Sequence, residues 1–155
     1  NINVNLTQFT AEGSTNKPLD FSAYSEVVIN GSGSLTVTAP SDSMGIISNN
    51  FKVDNNATVN VTASSRGKIA SNGGIKLLGT LTVNGTLTIT NFASGINVPD
   101  NTANANVTIN ETGNVTITKA TVGIRANKGS KFTLLNKNKL HIVCDCAPVR
   151  NHLWF

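Results

Sequence analysis

The sequence predicts an all-β fold, a right-handed parallel β-helix (β-solenoid) of about five coils. Three observations predict it: a four-residue alternating run recurs five times, a second alternating run precedes each of these, and a Gly-Ile turn follows most of them. The composition agrees, because only 13% of the 155 residues are charged, 5% are aromatic, and the aliphatic residues occur in short alternating runs rather than at helical spacing.

Each repeat carries two short strands. The four-residue runs, called tetrads below, begin 24, 28, 28 and 25 residues apart and occupy residues 35–38, 59–62, 87–90, 115–118 and 140–143. The preceding runs occupy residues 27–29, 51–53, 81–83, 107–109 and 132–134. Side chains alternate between the two faces of a strand, and all twenty first and third positions of these runs are Val, Ile, Leu or Phe. These positions predict the core.

Alternation alone also fits a two-layer β-sandwich, and the repeat decides between the two folds. Units of about 25 residues with two strands and a Gly-marked turn fit one circuit of a solenoid, in which like strands stack about 4.8 Å apart in parallel register. The turn markers are at residues 45–46, 67–69, 95–96 and 123–124. An inward charge at Val61 or Ile89 is expected to break such a stack, whereas Thr88→Lys is expected to be nearly neutral.

The corners between the paired runs are rich in Gly and Asn, which tolerate positive φ. Four polar residues follow equivalent strands at one of these corners: Asn30, Asp54, Asn84 and Asn110. Stacked in successive coils, they predict a polar ladder in which each side chain bonds the backbone of the next coil.

Three segments are expected. Residues 1–23 form an N-terminal cap or a partial first coil, residues 24–143 form the coils, and residues 144–155 form a C-terminal cap or docking tail ending in an apolar plug at residues 153–155. No stretch of 18 apolar residues exists, so we expect no membrane insertion.

The repeat style, as in residues 81–91 (LTVNGTLTITN), resembles the pectin-lyase-like right-handed β-helix superfamily, especially the Asn/Thr-rich solenoids of bacterial cell-surface adhesins. The resemblance covers residues 24–143 and includes no diagnostic site motif. It implies an exported protein whose coils present a long carbohydrate-binding or surface-binding face. It transfers no functional residue.

Two groups of side chains are candidates for ligand binding. The outward residues of the tetrads form an array of hydroxyl groups, and the chain from residue 119 onwards carries seven basic residues against one acidic residue, which favours anionic partners. The predicted ligand-binding residues are Thr88, Thr90, Thr116, Thr118, Lys128, Lys131 and Lys137. A solvated basic end and the preference of Thr for strand surfaces explain the same patterns without a ligand. Rows of Thr at this spacing also occur in ice-binding solenoids.

Catalysis and metal binding have weaker signals. The eight acidic residues are sparse, and Asp54 and Glu111 alone fall after equivalent strands, two coils and about 10 Å apart. His141, His152, Cys144, Asp145 and Cys146 invite a zinc interpretation, but Cys-X-Cys is not the spacing of structural zinc sites. We therefore expect no catalytic residue, no metal and no cofactor.

The sequence favours a non-catalytic extracellular adhesion or binding module that contacts carbohydrate or an anionic surface polymer of a cell wall or host. The alternative is a structural subunit that self-associates through its coil ends into a fibre or surface layer, and a polysaccharide-degrading fragment or an ice-binding protein ranks below both. Nucleic acid is not an expected partner, because the basic end lacks an interleaved aromatic platform. The expected location is extracellular, at the cell surface or wall.

Overall fold

A computed structural model describes residues 2–5, 8–12, 19–65, 72–102 and 104–144, and in it the chain winds as a β-solenoid of about five turns. The strands are β1 (Ile2–Asn5), β2 (Gln8–Glu12), β3 (Leu19–Asn30), β4 (Ser34–Ala39), β5 (Ile46–Val53), β6 (Thr58–Ala63), β7 (Gly73–Leu77), β8 (Thr80–Val83), β9 (Thr86–Thr90), β10 (Ser94–Asn97), β11 (Asn106–Ile109), β12 (Asn114–Ala120), β13 (Val122–Arg125), β14 (Lys131–Leu134) and β15 (Leu140–Cys144). A single 3₁₀ turn, Lys137–Lys139, precedes β15. Among the described residues, no helix is long and apolar enough to cross a bilayer.

Each coil has three sides. The first side contains β1, residues 26–30 of β3, residues 50–53 of β5, then β8, β11 and β14. The second side is the six-stranded sheet β15-β12-β9-β6-β4-β2, which carries the tetrads. The third side contains residues 19–21 of β3, residues 46–48 of β5, then β7, β10 and β13. The first and third sides form one nine-stranded sheet, because β3 and β5 run through the corner between them.

Every strand pair described is parallel, and the repeats align as the sequence predicts. On the second side the first tetrad residues form one column, with Leu35 opposite Val59, Val59 opposite Leu87, Leu87 opposite Val115, and Val115 opposite Leu140. On the first side Phe51, Leu81 and Val107 are partners in the same way. The parallel β-solenoid of about five coils is therefore confirmed, whereas its right-handedness stays a prediction.

The core is a column of aliphatic side chains along the solenoid axis. Sixteen of the twenty predicted inward positions are buried. The other four belong to the last described coil: Leu134, Leu140 and Ile142 are partly buried, and Phe132 is 38% exposed. Phe132 pairs with Val107 in the expected register, but β14 is the outermost strand of the first side among the described residues. Phe132 therefore has the register of the predicted inward positions, but it is not buried.

Glycine sets the thickness of the coil at the third side. Gly45, Gly74, Gly95 and Gly123 each precede an aligned Ile, and a Cβ on Gly95 would lie 2.5 Å from Ile117 Cγ2. The same contact recurs from Gly74 to Ile89, at 2.2 Å. The glycines let the third side lie directly on the second. The sequence pattern placed the second Gly-Ile turn marker at residues 67–69, which lie outside the described residues. The strand register shows instead that Gly74 and Ile75 align with Gly45 and Ile46.

The two N-terminal strands belong to the solenoid. β1 pairs with β3 and β2 pairs with β4, both in parallel register, so residues 2–5 and 8–12 lie on the first and second sides. The predicted C-terminal segment is described only to Cys144, an exposed residue that ends β15. Cys146, His152 and the plug at residues 153–155 lie outside the described residues.

Candidate functional site

The outer surface of the second side is a regular array of small polar side chains. Strands β4, β6, β9 and β12 contribute three outward residues each, and cross-strand register aligns these in three columns. We call this surface the threonine face; it consists of Ser34, Thr36, Thr38, Thr58, Asn60, Thr62, Thr86, Thr88, Thr90, Asn114, Thr116 and Thr118. Nine of its twelve residues are Thr. Each side chain alternates with a buried neighbour, so the strands themselves fix its direction.

The threonine face is half-buried and uncharged. Eleven of its twelve residues are half-buried, and Asn114 is exposed. The hydroxyls of Thr90 and Thr118 are 3.1 Å apart and share a hydrogen bond along the column. Coils repeat about every 4.8 Å, so a molecule lying along the solenoid axis meets the same donors and acceptors at each step. The face can therefore recognise a polymer of repeating hydroxylated units.

A cleft of about 480 Å³ opens at the corner beside the threonine face. The corner between β8 and β9 is two residues shorter than its neighbours, so Asn84 and Gly85 form a floor between the projecting Asn55 and Thr112. The Thr112 hydroxyl donates to Asn55 Oδ1 at 3.2 Å, across two coils. A Cβ on Gly85 would lie 2.3 Å from the carbonyl oxygens of Asp54 and Ala57, which explains the glycine. In the sequence this cleft is marked by the separation of runs 81–83 and 87–90, which is shorter than that of the other paired runs.

The predicted polar ladder exists at this corner, but its bonds differ from the prediction. Asn84 Nδ2 donates to Asp54 Oδ1 at 3.2 Å, and Asn110 Nδ2 donates to Asn84 Oδ1. These bonds join side chain to side chain, whereas the coils are joined by backbone bonds such as Asn84 N–H to the Val53 carbonyl, at 2.8 Å. Asn30 Oδ1 is buried without a hydrogen-bond partner at the start of the ladder.

The ladder also sets the chemistry of Asp54. Its pKa lies below the ordinary value of 3.8, first because the Asn84 amide donates to it, then because of the Asn55 backbone N–H and the nearby Lys52. The Lys52 ammonium is 3.4 Å from Asp54 Oδ1. A general acid in glycoside hydrolysis needs the opposite shift. Asp54 is therefore suited to accepting hydrogen bonds rather than to donating a proton.

The predicted ligand-binding residues fall into two groups. Thr88 pairs with Thr116, and Thr90 pairs with Thr118, so all four meet on the threonine face. The lysines are elsewhere on the last described coil: Lys128 is in the turn before β14, Lys131 begins β14 on the first side, and Lys137 is in the 3₁₀ turn after it. All three lysines are exposed. The structure thus does not bring the lysines onto the threonine face, and the role of both groups stays a prediction.

A smaller cleft of about 210 Å³ lies on the third side, where no sequence pattern indicated a site. Lys76, Asn97 and Arg125 are register partners in three successive coils, and Arg125 is 3.7 Å from the exposed Asp100. Pro99 and Asp100, which line it, belong to a corner loop that is longer than the corresponding links of the other coils. Within the described ranges, no three His, Cys, Asp or Glu side chains converge as metal ligands.

A comparison with protein families matches residues 4–145, nearly the whole chain, to a family described as carbohydrate-binding domain-containing protein. Comparisons with curated proteins and with solved structures gave no match. The match spans all three sides of the solenoid, including the threonine face and both clefts. This chain therefore belongs to the carbohydrate-binding domain-containing protein family.

Proposed function

We propose that this protein is a non-catalytic, exported glycan-binding module that holds an extended polysaccharide along its threonine face. The observation that carries the proposal is the register of twelve uncharged polar side chains in three columns. Membership of a carbohydrate-binding family supports the ligand class. The absence of Cys from the first 143 residues supports export, as does the resemblance to the pectin-lyase-like solenoids.

The spacing of the face favours an extended chain as its ligand. One sugar ring of a straight glycan advances by nearly the distance between coils, about 4.8 Å, so successive rings meet equivalent hydroxyl groups. Thr, Ser and Asn side chains both donate and accept, as sugar hydroxyls do. Because the face carries no charge, hydrogen bonds rather than ion pairs provide the contact, and binding is expected to persist at high salt.

Depletion from solution by insoluble cellulose, mannan and chitin tests the proposal. The variant Thr88→Val/Thr116→Val removes two hydroxyls on the threonine face while keeping shape and β-propensity. We expect it to weaken binding about ten-fold, as loss of two hydrogen bonds does. The matched control is Thr82→Val/Thr108→Val, an aligned outward pair on the first side, which is expected to bind like the parent protein.

Two results would contradict this assignment. Equal binding by both double variants would remove the threonine face from the contact. Binding that disappears at high salt, and that is lost when Lys128, Lys131 and Lys137 are neutralised, would assign the contact to the basic end and an anionic polymer.

A second candidate function is assembly into a fibre or surface layer. The observation that favours it is the exposed apolar surface of the last described coil, where Phe132 is 38% and Val143 is 44% exposed. Sedimentation velocity and negative-stain microscopy test it. Filaments that disappear in a Phe132→Ser variant would support assembly, and a monomer at high protein concentration would exclude it.

A further inference from the structure

Strand β3 contains a bulge at the corner where the third side meets the first. Phe21 pairs with Ser48 and Glu26 pairs with Asn50, so residues 22–25 of β3 lie opposite the single residue Asn49 of β5. The three additional residues cannot stay in the plane of the sheet and must project from it. Tyr24 is in this bulge, and 43% of its surface is exposed.

The bulge is held in place by two asparagine side chains of the next coil. Asn49 Nδ2 donates to the carbonyl oxygens of Ser22 and Tyr24, both at 2.8 Å. Asn50 Nδ2 donates to the Ser25 carbonyl at 2.7 Å. The carbonyl groups of the bulge do not take part in the hydrogen bonds of the sheet, and these asparagine amides satisfy them instead. The backbone that carries Tyr24 is therefore held in place.

A further coil anchors this clamp. Asn50 Oδ1 accepts hydrogen bonds from the Thr80 backbone N–H at 2.9 Å and from the Thr80 hydroxyl at 2.8 Å. Gly79 provides the space, because a Cβ there would lie 2.7 Å from Asn50 Oδ1. Three consecutive coils thus hold one exposed aromatic residue in place. Such an arrangement costs free energy and points to a functional role for the aromatic ring.

The exposed ring is unusual in this protein. The chain has one Tyr, one Trp and six Phe, and among the residues whose side-chain exposure is described, Tyr24 and Phe132 are the large aromatic residues that are exposed. Phe132 lies at the edge of the last described coil, whereas Tyr24 lies on a clamped bulge. Close to Tyr24 in sequence are three residues with hydrogen-bonding groups, the exposed Ser22 and Ser25 and the half-buried Glu26.

We propose that Tyr24 is a stacking platform for one pyranose ring of a neutral sugar whose ring hydroxyls are equatorial, as in β-linked glucose. Such a ring presents a face of axial C–H groups, and the negative face of an aromatic ring attracts them. The Ser22 hydroxyl, which donates to Asp20 Oδ1 at 2.6 Å, can still accept a hydrogen bond from a sugar hydroxyl at the rim. The nearby Glu26 carboxylate disfavours an acidic sugar by charge repulsion. The inference rests on the proposed glycan binding and adds a contact separate from the threonine face.

Because Tyr24 is the single tyrosine of the chain, its ring can be observed directly. The full protein is prepared with ¹³C-labelled tyrosine rings and titrated with cellohexaose while ¹H–¹³C spectra are recorded. The stacked sugar is expected to shift the ring signals in a saturable manner. No shift with cellohexaose overturns the inference, and this outcome is independent of whether Thr88→Val/Thr116→Val changes the depletion by insoluble glycans.

Three variants separate stacking from a structural role. Tyr24→Ala is expected to weaken cellohexaose binding about ten-fold, whereas Tyr24→Phe keeps the ring and binds within about two-fold of the parent. Asn49→Ala keeps the ring but removes two bonds to the bulge, so its affinity is expected to fall between these values. Circular dichroism establishes that each variant is folded. Equal affinity of folded Tyr24→Ala and the parent protein contradicts the proposal.

Discussion

Asp54 contributes a carboxylate to a corner ladder that otherwise consists of amides. The Asn84 amide donates to it at 3.2 Å, and the ladder continues to Asn110. A carboxylate accepts this bond better than a neutral acid does, which is why the pKa of Asp54 lies below 3.8. A lowered pKa means that the ionised group stabilises the folded state. This contribution is complete above pH 3.8 and is lost as the pH falls through the folded pKa.

The variant Asp54→Asn tests this coupling. An amide oxygen can accept the bond from Asn84 at any pH, so the variant is expected to lose less stability in acid than the parent protein does. Urea unfolding midpoints at pH 7 and pH 3 measure the difference, and the other carboxylates cancel in the comparison. The effect is expected to be small, because about a third of the Asp54 side chain is exposed and water screens it. An identical fall in both proteins would contradict the ladder's role.

The aligned glycines Gly45, Gly74, Gly95 and Gly123 determine how closely the second and third sides approach. A Cβ on Gly95 would lie 2.5 Å from Ile117 Cγ2 and 2.6 Å from the Gly123 carbonyl oxygen. Both contacts are far inside van der Waals distance, and one of them is with backbone, which cannot rotate away. A side chain here therefore forces the sheet itself to move.

Gly95→Ala is expected to lower the free energy of unfolding by about 1–3 kcal/mol, the usual cost of overpacking. This cost exceeds the gain of about 0.4–1 kcal/mol that Ala provides by restricting the unfolded chain. Urea denaturation followed by circular dichroism measures it. The control is Ser32→Ala, at an exposed corner position, which is expected to change stability by less than about 0.5 kcal/mol. A neutral Gly95→Ala would show that the two sides can separate without cost.

The strands of the first and second sides could be predicted because alternation is visible in every repeat. The third side was harder, since its strands are marked by one Gly-Ile pair and the connections before them vary in length. Residues 67–69 carry the same marker at a closer spacing, and only the pairing of Ile46 with Ile75 assigns the strand to β7. Phe92, which is 1% exposed and packs near Gly45 and Gly74, gave no repeat signal at all.

The part of the candidate site that lies on regular strands could also be predicted from the alternation. Thr88, Thr90, Thr116 and Thr118 follow directly from the strand period, and register brings them together. Charge composition made the lysines a second group of candidate ligand-binding residues, but composition carries no information about which side of a coil a residue occupies. Among the described residues the Tyr24 bulge occurs once, so no comparison of repeats could reveal it.

The stability of the solenoid depends on an uninterrupted column of apolar side chains along its axis. Ile89 is fully buried between Val61 and Ile117, its partners in the adjacent coils, whereas the preceding Thr88 is on the outer surface. Each coil covers the apolar side of its neighbours, so a defect in the middle coil exposes both halves to water.

Ile89→Lys and Thr88→Lys therefore form a matched pair on one strand. The inward lysine loses the burial of Ile89 and places an unpaired charge in the core, a cost of several kcal/mol that approaches the total stability of a domain of this size. The outward lysine is expected to change stability by less than about 0.5 kcal/mol. Thermal unfolding followed by circular dichroism compares them. A cooperative transition of Ile89→Lys at the parental temperature would contradict the continuous core.

The long corner at residues 98–105 shows where the solenoid accepts additional chain. The strands on either side of it, β10 and β11, keep their register with the neighbouring coils, although the other repeats join the same sides with shorter links. Asn127 Nδ2 donates to the Pro99 carbonyl at 3.2 Å and also to that of Thr102, which holds the turn at residues 99–102 in place. Asp100 and Asn101, at its tip, are exposed. A foreign peptide grafted between these two residues would be displayed on a stiff scaffold whose winding does not depend on it.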